Sequence, residues 1–471
     1  MSSLAADLAR ILGENAVLHE DAALRAYDCD AYTVDRSKPQ AVVLPSSTEE
    51  VAKIVRYCVG AGVPYTVRGA GTGLSGGALA ALGGVTLSTK RLNKILSVDP
   101  ENRRLTAEAG VANKRISDVV RPYGLHFAPD PSSQTVSTLG GNIAENSGGP
   151  HTLKMGVTVQ HIHALKMVTV DGEIEEFALR GDGLDFLGVI VGSEGTMGVV
   201  TEATVRLTPS PKHVITALAS FANVRDATES VAAIIASGTL PAALEMMDKG
   251  VLGALKAAFG LEYHPAAAAL LLVECDGDDA QAVEAEMQAV RQAFGRHAAL
   301  EVQIAEDDAA RAKLWVARKK GVGAMGRLAP SIVTHDGVIP RSELPEMLEF
   351  IYAEASAAGL GVANLFHAGD GNLHPCFYFD DRDPGQVERV IETGERIMRR
   401  CLELGGSVTG EHGIGVEKID LMSEMFSPAD LAVQGLVKSI FNPGDLCNPC
   451  KVLPNQKSCA EHRKRWRGVA W

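Results

Sequence analysis

Five glycines in ten residues follow directly on a short apolar stretch, Pro64 to Val67, and this run limits what the chain can build more than any other feature. It reads Arg68-Gly69-Ala70-Gly71-Thr72-Gly73-Leu74-Ser75-Gly76-Gly77. Without Cβ atoms such a loop brings its backbone close to a ligand and points N–H groups at phosphate oxygens. No lysine follows the last glycine, as a nucleoside-triphosphate loop requires, and no GxGxxG opens a long helix, as an NAD-type fold requires. One such loop alone is also explained by a simple chain reversal. Two further glycine loops, Ser137 to Gly149 and Gly192 to Gly198, carry hydroxyls at Ser137, Thr138, Ser193 and Thr196, and the three together favour a flavin diphosphate.

With 471 residues the chain is too long for one core, and two or three domains are expected. Ser47-Thr48-Glu49-Glu50 ahead of Val51, Ile54, Val55 and Cys58 predicts a capped helix, and Pro64 to Val67 a strand. Short strands over 85–89, 95–98 and 105–109 and a helix over 113–121 follow. Pro129 to Gly149 has little periodicity and reads as a loop ordered by what it binds. A strand over 157–170, a hairpin turn at Asp171-Gly172 and a strand ending at Leu207 lead to a boundary at Pro209 and Pro211. Beyond it, alternating strands and helices suggest an α+β domain with an antiparallel sheet. Val387, Val390, Ile391, Met398, Cys401 and Leu402 predict one amphipathic helix over 386–404. The expected division is 1–210, 211–425 and a C-terminal helical segment 426–471.

Lys and Arg total 45 against 58 Asp and Glu, a net charge of −13, so a nucleic-acid groove would form against the chain's own field. No apolar run approaches the roughly 20 residues of a membrane span. The first residues lack the basic lead and apolar segment of a secretory signal, so a cytoplasmic protein is expected, touching a membrane only through a partner. Eight scattered cysteines suggest reduced thiols.

A second constellation lies late in the chain. His367-Ala368-Gly369-Asp370-Gly371-Asn372-Leu373-His374 holds two histidines around turn-forming residues, so two strand ends can converge the imidazoles. Gly410-Glu411-His412-Gly413-Ile414-Gly415 adds a carboxylate and a third histidine after an expected short strand, Ser407 to Thr409. Two imidazoles and a carboxylate with one open position form a known catalytic zinc set. Either histidine pair alone is equally explained by buried hydrogen bonding.

The strings Val67 to Gly77, Ser137-Thr138-Leu139-Gly140-Gly141-Asn142-Ile143-Ala144-Glu145-Asn146 and Gly192-Ser193-Glu194-Gly195-Thr196 resemble the FAD-binding domain of the vanillyl-alcohol oxidase type. From Val42 through Pro454 the chain is similar to the family that holds bacterial glycolate oxidase catalytic subunits and the D-lactate and D-2-hydroxyglutarate dehydrogenases. The resemblance implies an α+β architecture: an FAD-binding domain, an antiparallel-sheet cap and a C-terminal segment packing back on the flavin domain. It implies FAD contacts along Arg68 to Ser75, at Pro129, Ser137, Thr138, Gly140, Gly141, Asn142, Asn146 and Gly148, at Glu194, Gly195, Thr196, Gly198 and Val199, and at Asn448. The first loop has no histidine to tether the ring, so the FAD is expected to be noncovalent.

For the late loops the resemblance implies a divalent metal, zinc by ligand type, on His367, His374 and Glu411, with His412 as base. Arg318 matches the position that clamps the substrate carboxylate, Lys319 beside it is otherwise an equal candidate, and Lys418 is a weaker one for orienting the acid or pairing with Glu411. The implied activity is hydride transfer from a small 2-hydroxy acid to FAD, giving the 2-oxo acid. The implied partners are a second flavin-domain subunit and an iron–sulfur subunit.

Relatives that act on D-2-hydroxyglutarate have a lysine shortly before the cap aspartate, where this chain reads Thr334-His335-Asp336, and an asparagine where it has Cys376. Both departures favour glycolate or D-lactate. Cys447, Cys450, Cys459 and His462 could gather a metal or cluster, although unliganded thiols are expected, and Lys457, Arg463, Lys464, Arg465 and Arg467 form a basic end. A metallohydrolase using His367, His374 and Glu411, and a noncatalytic flavin-domain assembly subunit, are the competing readings.

Overall fold

The computed structural model describes residues 2–179, 183–305 and 307–454. It divides into two compact units: Met1–Gly148, Val157–Ser210 and Glu411–Trp471 form the first, and Gly149–Gly156 with Pro211–Gly410 the second. The architecture is α+β.

In the first unit a four-stranded sheet runs Val17–Leu18, Ala41–Val43, Val85–Ser88, Tyr65–Arg68. Its last three strands are parallel. Parallel pairing needs a crossover, and helix Thr48–Gly60 supplies it, capped by Ser47, which accepts the Glu50 amide at 3.2 Å. Val51, Ile54, Val55 and Cys58 are buried on that helix's inner face, as their spacing predicts. An antiparallel five-stranded sheet follows, Ile95–Asp99, Arg104–Glu108, Val199–Arg206, Ile162–Val168, Ile174–Ala178. Gly172, at φ 82°, turns the hairpin between the last two.

Two local expectations change. The segment after Pro129 contains a helix, Leu139–Glu145, which its short length and glycines conceal; Thr138 caps it and Gly140 is required because a Cβ there would stand 2.7 Å from Ala109 Cβ. The expected strand over 157–170 begins as a 3₁₀ turn, Thr158–His161, and becomes a strand at Ile162.

The second unit is an antiparallel sheet in the order Glu301–Ile304, His213–Phe221, Ala269–Gly277, Ala243–Asp248, Gly361–His367, continued by Asn372–Leu373 and Gly337–Val338. Strands Ser331–Thr334 and Pro375–Phe379 pair beside it. Ser407 forms only an isolated bridge to Val338, so the short strand expected at 407–409 is absent. Helix Pro384–Glu403 buries Val390, Ile397, Met398 and Cys401. Its Gly394 is buried against the ring of His335.

Residues 149–156 belong to the second unit because Lys154 donates to the Asp276 carbonyl at 2.6 Å and His151 stacks on Trp315 with centroids 5.7 Å apart. The chain re-enters the first unit at Glu411 and not at 426, because the amides of Ile414 and Gly415 are bound there by Glu194. Among the described residues Cys29, Cys58, Cys275, Cys376, Cys401 and Cys447 are free thiols. The readings of Cys459, His462 and the basic end lie outside the described residues.

Candidate active site

In the first unit the three glycine loops meet. Gly192 and Glu194 donate their amides to the carbonyls of Ile143 and Ala144, at 2.9 and 2.8 Å, joining the third loop to the second. Gly69 of the first loop faces the Thr138 hydroxyl of the second. Asn448 closes the group: its side-chain amide donates to the carbonyls of Gly77 at 3.0 Å and Glu194 at 2.7 Å. Gly69 through Leu74 are half-buried, and Gly71 and Gly76 hold φ near +73° and +79°, conformations open to residues without Cβ.

Several residues expected to contact FAD also build the loops. Arg68 donates to the Cys29 carbonyl at 2.7 Å and packs its guanidinium on Tyr27. Asn142 donates to Asn113, which donates to the Pro129 carbonyl, at 2.9 and 2.8 Å. Asn146 adopts φ 53° and accepts the Val159 amide, and Thr196 donates to the Ser193 carbonyl at 2.7 Å. Val199 opens a buried strand behind Gly198, itself at φ 138°. Ser137 Oγ and one carboxylate oxygen of Glu145 are buried without a partner among the described residues. Unspent polar atoms beside backbone-lined glycine loops fit a dinucleotide that has its own hydroxyls and phosphates to offer.

The loop carrying His412 is fastened to these same glycine loops. Ser75 Oγ donates to the His412 carbonyl at 2.8 Å. Glu194 Oε1 accepts the Ile414 amide at 2.6 Å and Oε2 the Gly415 amide at 2.7 Å. Desolvation raises the Glu194 carboxyl above its ordinary range, while those two amides and nearby Lys418 and Lys451 pull it down. Glu145 is raised further, first by desolvation and then by Glu194 and Asp30. Lys418 is buried among these groups, 3.9 Å from Glu417, and its neighbours include Glu145 and Glu194. Lys451 donates to the Leu79 carbonyl at 2.6 Å, and burial lowers its ammonium pKa to about 8.

In the second unit, strand Gly361–His367 and the turn through Gly371, at φ 75°, bring His367 and His374 together, ring centroids 5.1 Å apart and nearly perpendicular. Each has a carboxylate behind its Nδ1. His367 Nδ1 donates to Glu245 Oε1 at 2.6 Å, and His374 Nδ1 lies 3.6 Å from Asp336 Oδ1. Asp336 also accepts the Thr409 hydroxyl at 2.6 Å and the Gly410 amide at 2.8 Å. Gly410 is the residue to which Glu411 is covalently joined. The carboxylate bonded to His367 Nδ1 selects the tautomer whose Nε2 is open to a metal, and with His374 beside it this donor set fits a divalent ion.

Glu245 also accepts from Arg318 Nε, so one buried carboxylate joins the proposed clamp to a proposed metal ligand. Burial pushes the Glu245 carboxyl up, but His367 and Arg318 outweigh it and hold it below its ordinary value. Arg318 is buried in helix Val316–Met325, whereas Lys319 is exposed over the Trp315 ring, which separates the two basic candidates. Cys376 and Thr334, the two departures from the D-2-hydroxyglutarate pattern, are cross-strand partners with Sγ and Oγ1 3.3 Å apart. Burial pushes the Cys376 thiol up to about 12 and leaves it neutral.

Sequence reasoning missed Glu245 and the Ser75 and Glu194 anchors. Glu245 had a signal: it is a charge flanked by apolar residues within the strand Ala243–Asp248, whose other charge, Asp248, stands at its end. The anchors join residues more than 200 positions apart and have no local signature.

A glycine-loop unit and a histidine-bearing antiparallel unit are the parts of a flavin-linked oxidoreductase. Residues 39–178 match the FAD binding domain family and residues 210–452 match the family of FAD linked oxidases, C-terminal domain. The chain belongs to the FAD-linked oxidase family. It is 42% identical to glycolate oxidase subunit GlcD of Escherichia coli K12 over 94% of this chain and 90% of that one. It is 31% identical to D-lactate dehydrogenase of Anaerostipes hadrus, over 88% and 90% of the two chains. Among solved structures, 4-ethylphenol oxidase from Gulosibacter chungangensis superposes with TM-score 0.80 at 18% identity, covering 97% of each chain. p-Cresol methylhydroxylase gives 0.75 at 15% identity, over 95% of this chain and 96% of that one, so the fold is of the vanillyl-alcohol oxidase type.

Proposed function

We propose that this protein oxidises a small 2-hydroxy acid, glycolate or D-lactate, to the 2-oxo acid in an FAD-dependent reaction. The observation that carries this reading is the attachment of the His412 loop to the first and third glycine loops through Ser75 and Glu194. A base fixed to the cofactor loops has no purpose in a hydrolase, and a noncatalytic flavin subunit has no use for the base.

The glycine loops at 68–77, 137–148 and 192–198, with Asn448, would hold the cofactor noncovalently, and residues 211–410 would form the substrate side. Bound FAD supplies a two-electron acceptor for the C2 hydrogen. His367, His374 and Glu411 would hold a divalent metal, zinc by ligand type, which supplies Lewis acidity toward the substrate hydroxyl. Arg318 binds the substrate carboxylate and sets the face presented by C2. His412 takes the hydroxyl proton, a step worth roughly 10²- to 10⁴-fold. Lys418, buried beside Glu145 and Glu194, would help to steady the His412 loop.

Cys376, buried and neutral, and half-buried Thr334 offer no cation to a second substrate carboxylate, which favours the small acids. The related GlcD chains are named as subunits, and we propose that this one works with a second flavin-domain subunit and an iron–sulfur subunit. No described helix is long and apolar enough to cross a membrane, and a cytoplasmic location, peripheral to the inner membrane through those partners, completes the proposal. The test is anaerobic titration of the FAD-loaded protein with glycolate, D-lactate, L-lactate and D-2-hydroxyglutarate, with metal analysis. Bleaching by one of the first two supports the reading; no bleaching by any of the four overturns it.

A further inference from the structure

We infer that Glu245 is a positioning residue that couples metal binding to recognition of the substrate carboxylate. The inference rests on the functional reading above, which makes His367 a metal ligand and Arg318 the clamp.

Glu245 sits in the middle of strand Ala243–Asp248 and is fully buried. Strand pairing places it opposite His367 on one side and Leu272 on the other. A lone ionised carboxylate in that apolar layer would be expensive, so its two oxygens must be satisfied. One accepts His367 Nδ1–H at 2.6 Å and the other accepts Arg318 Nε–H. The first contact fixes the imidazole tautomer with Nε2 directed away from Glu245 and makes that nitrogen a better ligand. The second holds the guanidinium by its Nε edge and orients the rest of the planar fork.

The two functions share one charge. A glutamine at 245 puts an N–H₂ group where one oxygen stood, so it cannot accept at both positions: either Arg318 loses its acceptor, or His367 must turn to the tautomer protonated on Nε2, which closes that nitrogen to a metal. No single-purpose structural carboxylate predicts that a single isosteric change weakens two separate binding events together.

The experiment compares wild type with Glu245→Gln, using FAD content as the folding control, since the cofactor loops belong to the other unit. Affinity for Zn²⁺ and Mn²⁺ is read by chelator competition and metal analysis, and KM for glycolate and D-lactate is read on metal-saturated protein. Zn²⁺ affinity is expected to fall roughly 10- to 100-fold, and KM to rise roughly tenfold as the guanidinium loses its charged partner. A variant matching wild type in both measurements overturns the role of Glu245 while leaving the oxidase reading intact. A wild type that retains no stoichiometric ion overturns the metal reading and this inference with it. If the variant loses its FAD through misfolding, ¹⁵N-histidine NMR of wild type decides: His367, identified by loss of its signals in His367→Gln, should be protonated on Nδ1. Protonation on Nε2 overturns the inference.

Discussion

Glu194 accepts the amide of Gly415 at 2.7 Å, and through that bond the loop of the proposed base is held by the loop that follows the second glycine segment. Its other oxygen takes Ile414, so both carboxylate oxygens of a residue in a cofactor motif are turned toward the catalytic loop.

Gly413 tests this attachment. It holds φ +83°, and a Cβ there would stand 2.6 Å from Glu145 Oε2 and 2.8 Å from Glu194 Oε1. Gly413→Ala should displace the loop, keep FAD bound and slow flavin reduction by roughly tenfold or more, because small misplacements of a reacting group are costly. Anaerobic stopped-flow reduction per bound flavin measures it, and an unchanged rate would show that the loop position is immaterial.

The buried Asp30 gives a pH dependence. Its carboxyl accepts the amides of Tyr32 and Ala78, at 3.0 and 3.2 Å, yet burial raises it from 3.8 to about 6. The folded chain keeps a proton that the unfolded chain releases in this window, so Asp30's contribution is full below pH 3.8 and is lost as pH rises through about 6. The change is about 3 kcal/mol. Asp30→Asn mimics the protonated form, so denaturant unfolding should show wild type losing about that much relative to the variant between pH 4 and 7. A constant difference across the range would contradict the assignment.

Glu274 should behave in the opposite sense. Burial pushes it up, but it accepts from Arg311, Trp315 and Thr216 and faces His151, and the net effect holds it well below the ordinary carboxylate range. Its contribution is present above the ordinary glutamate pKa of 4.5 and disappears as pH falls below it. Glu274→Gln leaves Arg311 without its charged partner and should cost on the order of 3–5 kcal/mol at neutral pH, less in acid. Urea unfolding at pH 7 and at about pH 2, far down the window below 4.5, reads the difference; equal losses at both would exclude an ionised Glu274 as the cause.

Substrate size is tested at Thr334 and Cys376 together. Because they face each other across paired strands, Thr334→Lys with Cys376→Asn builds a polar pair in one place. The doubly substituted protein should gain kcat/KM for D-2-hydroxyglutarate relative to glycolate by roughly tenfold, the scale of one charged hydrogen bond. No change in the ratio would place substrate selection elsewhere.

The parts legible in the sequence were those with a local cause. The capped helix at Thr48–Gly60 and the amphipathic helix at Pro384–Glu403 declare themselves by caps and spacing. The His367 and His374 turn does so by its glycines and asparagine. Helix Leu139–Glu145 was hidden because Gly140 and Gly141 are poor helix formers, tolerated for their close packing. The return of the chain at Glu411 was hidden because Ser75 and Glu194 reach it across hundreds of residues. Asp336, the carboxylate behind His374, was unassigned for the same reason, whereas Glu245 behind His367 carries a local sign, a charge flanked by apolar residues in its strand.

The most direct test of the central claim is anaerobic flavin reduction by glycolate and D-lactate in His412→Ala beside wild type, with FAD and metal content measured in both. The account predicts full cofactor and metal content and a reduction rate lowered by roughly 10²- to 10⁴-fold. Reduction at the wild-type rate with cofactor and metal in place would remove His412 as the base and contradict the account.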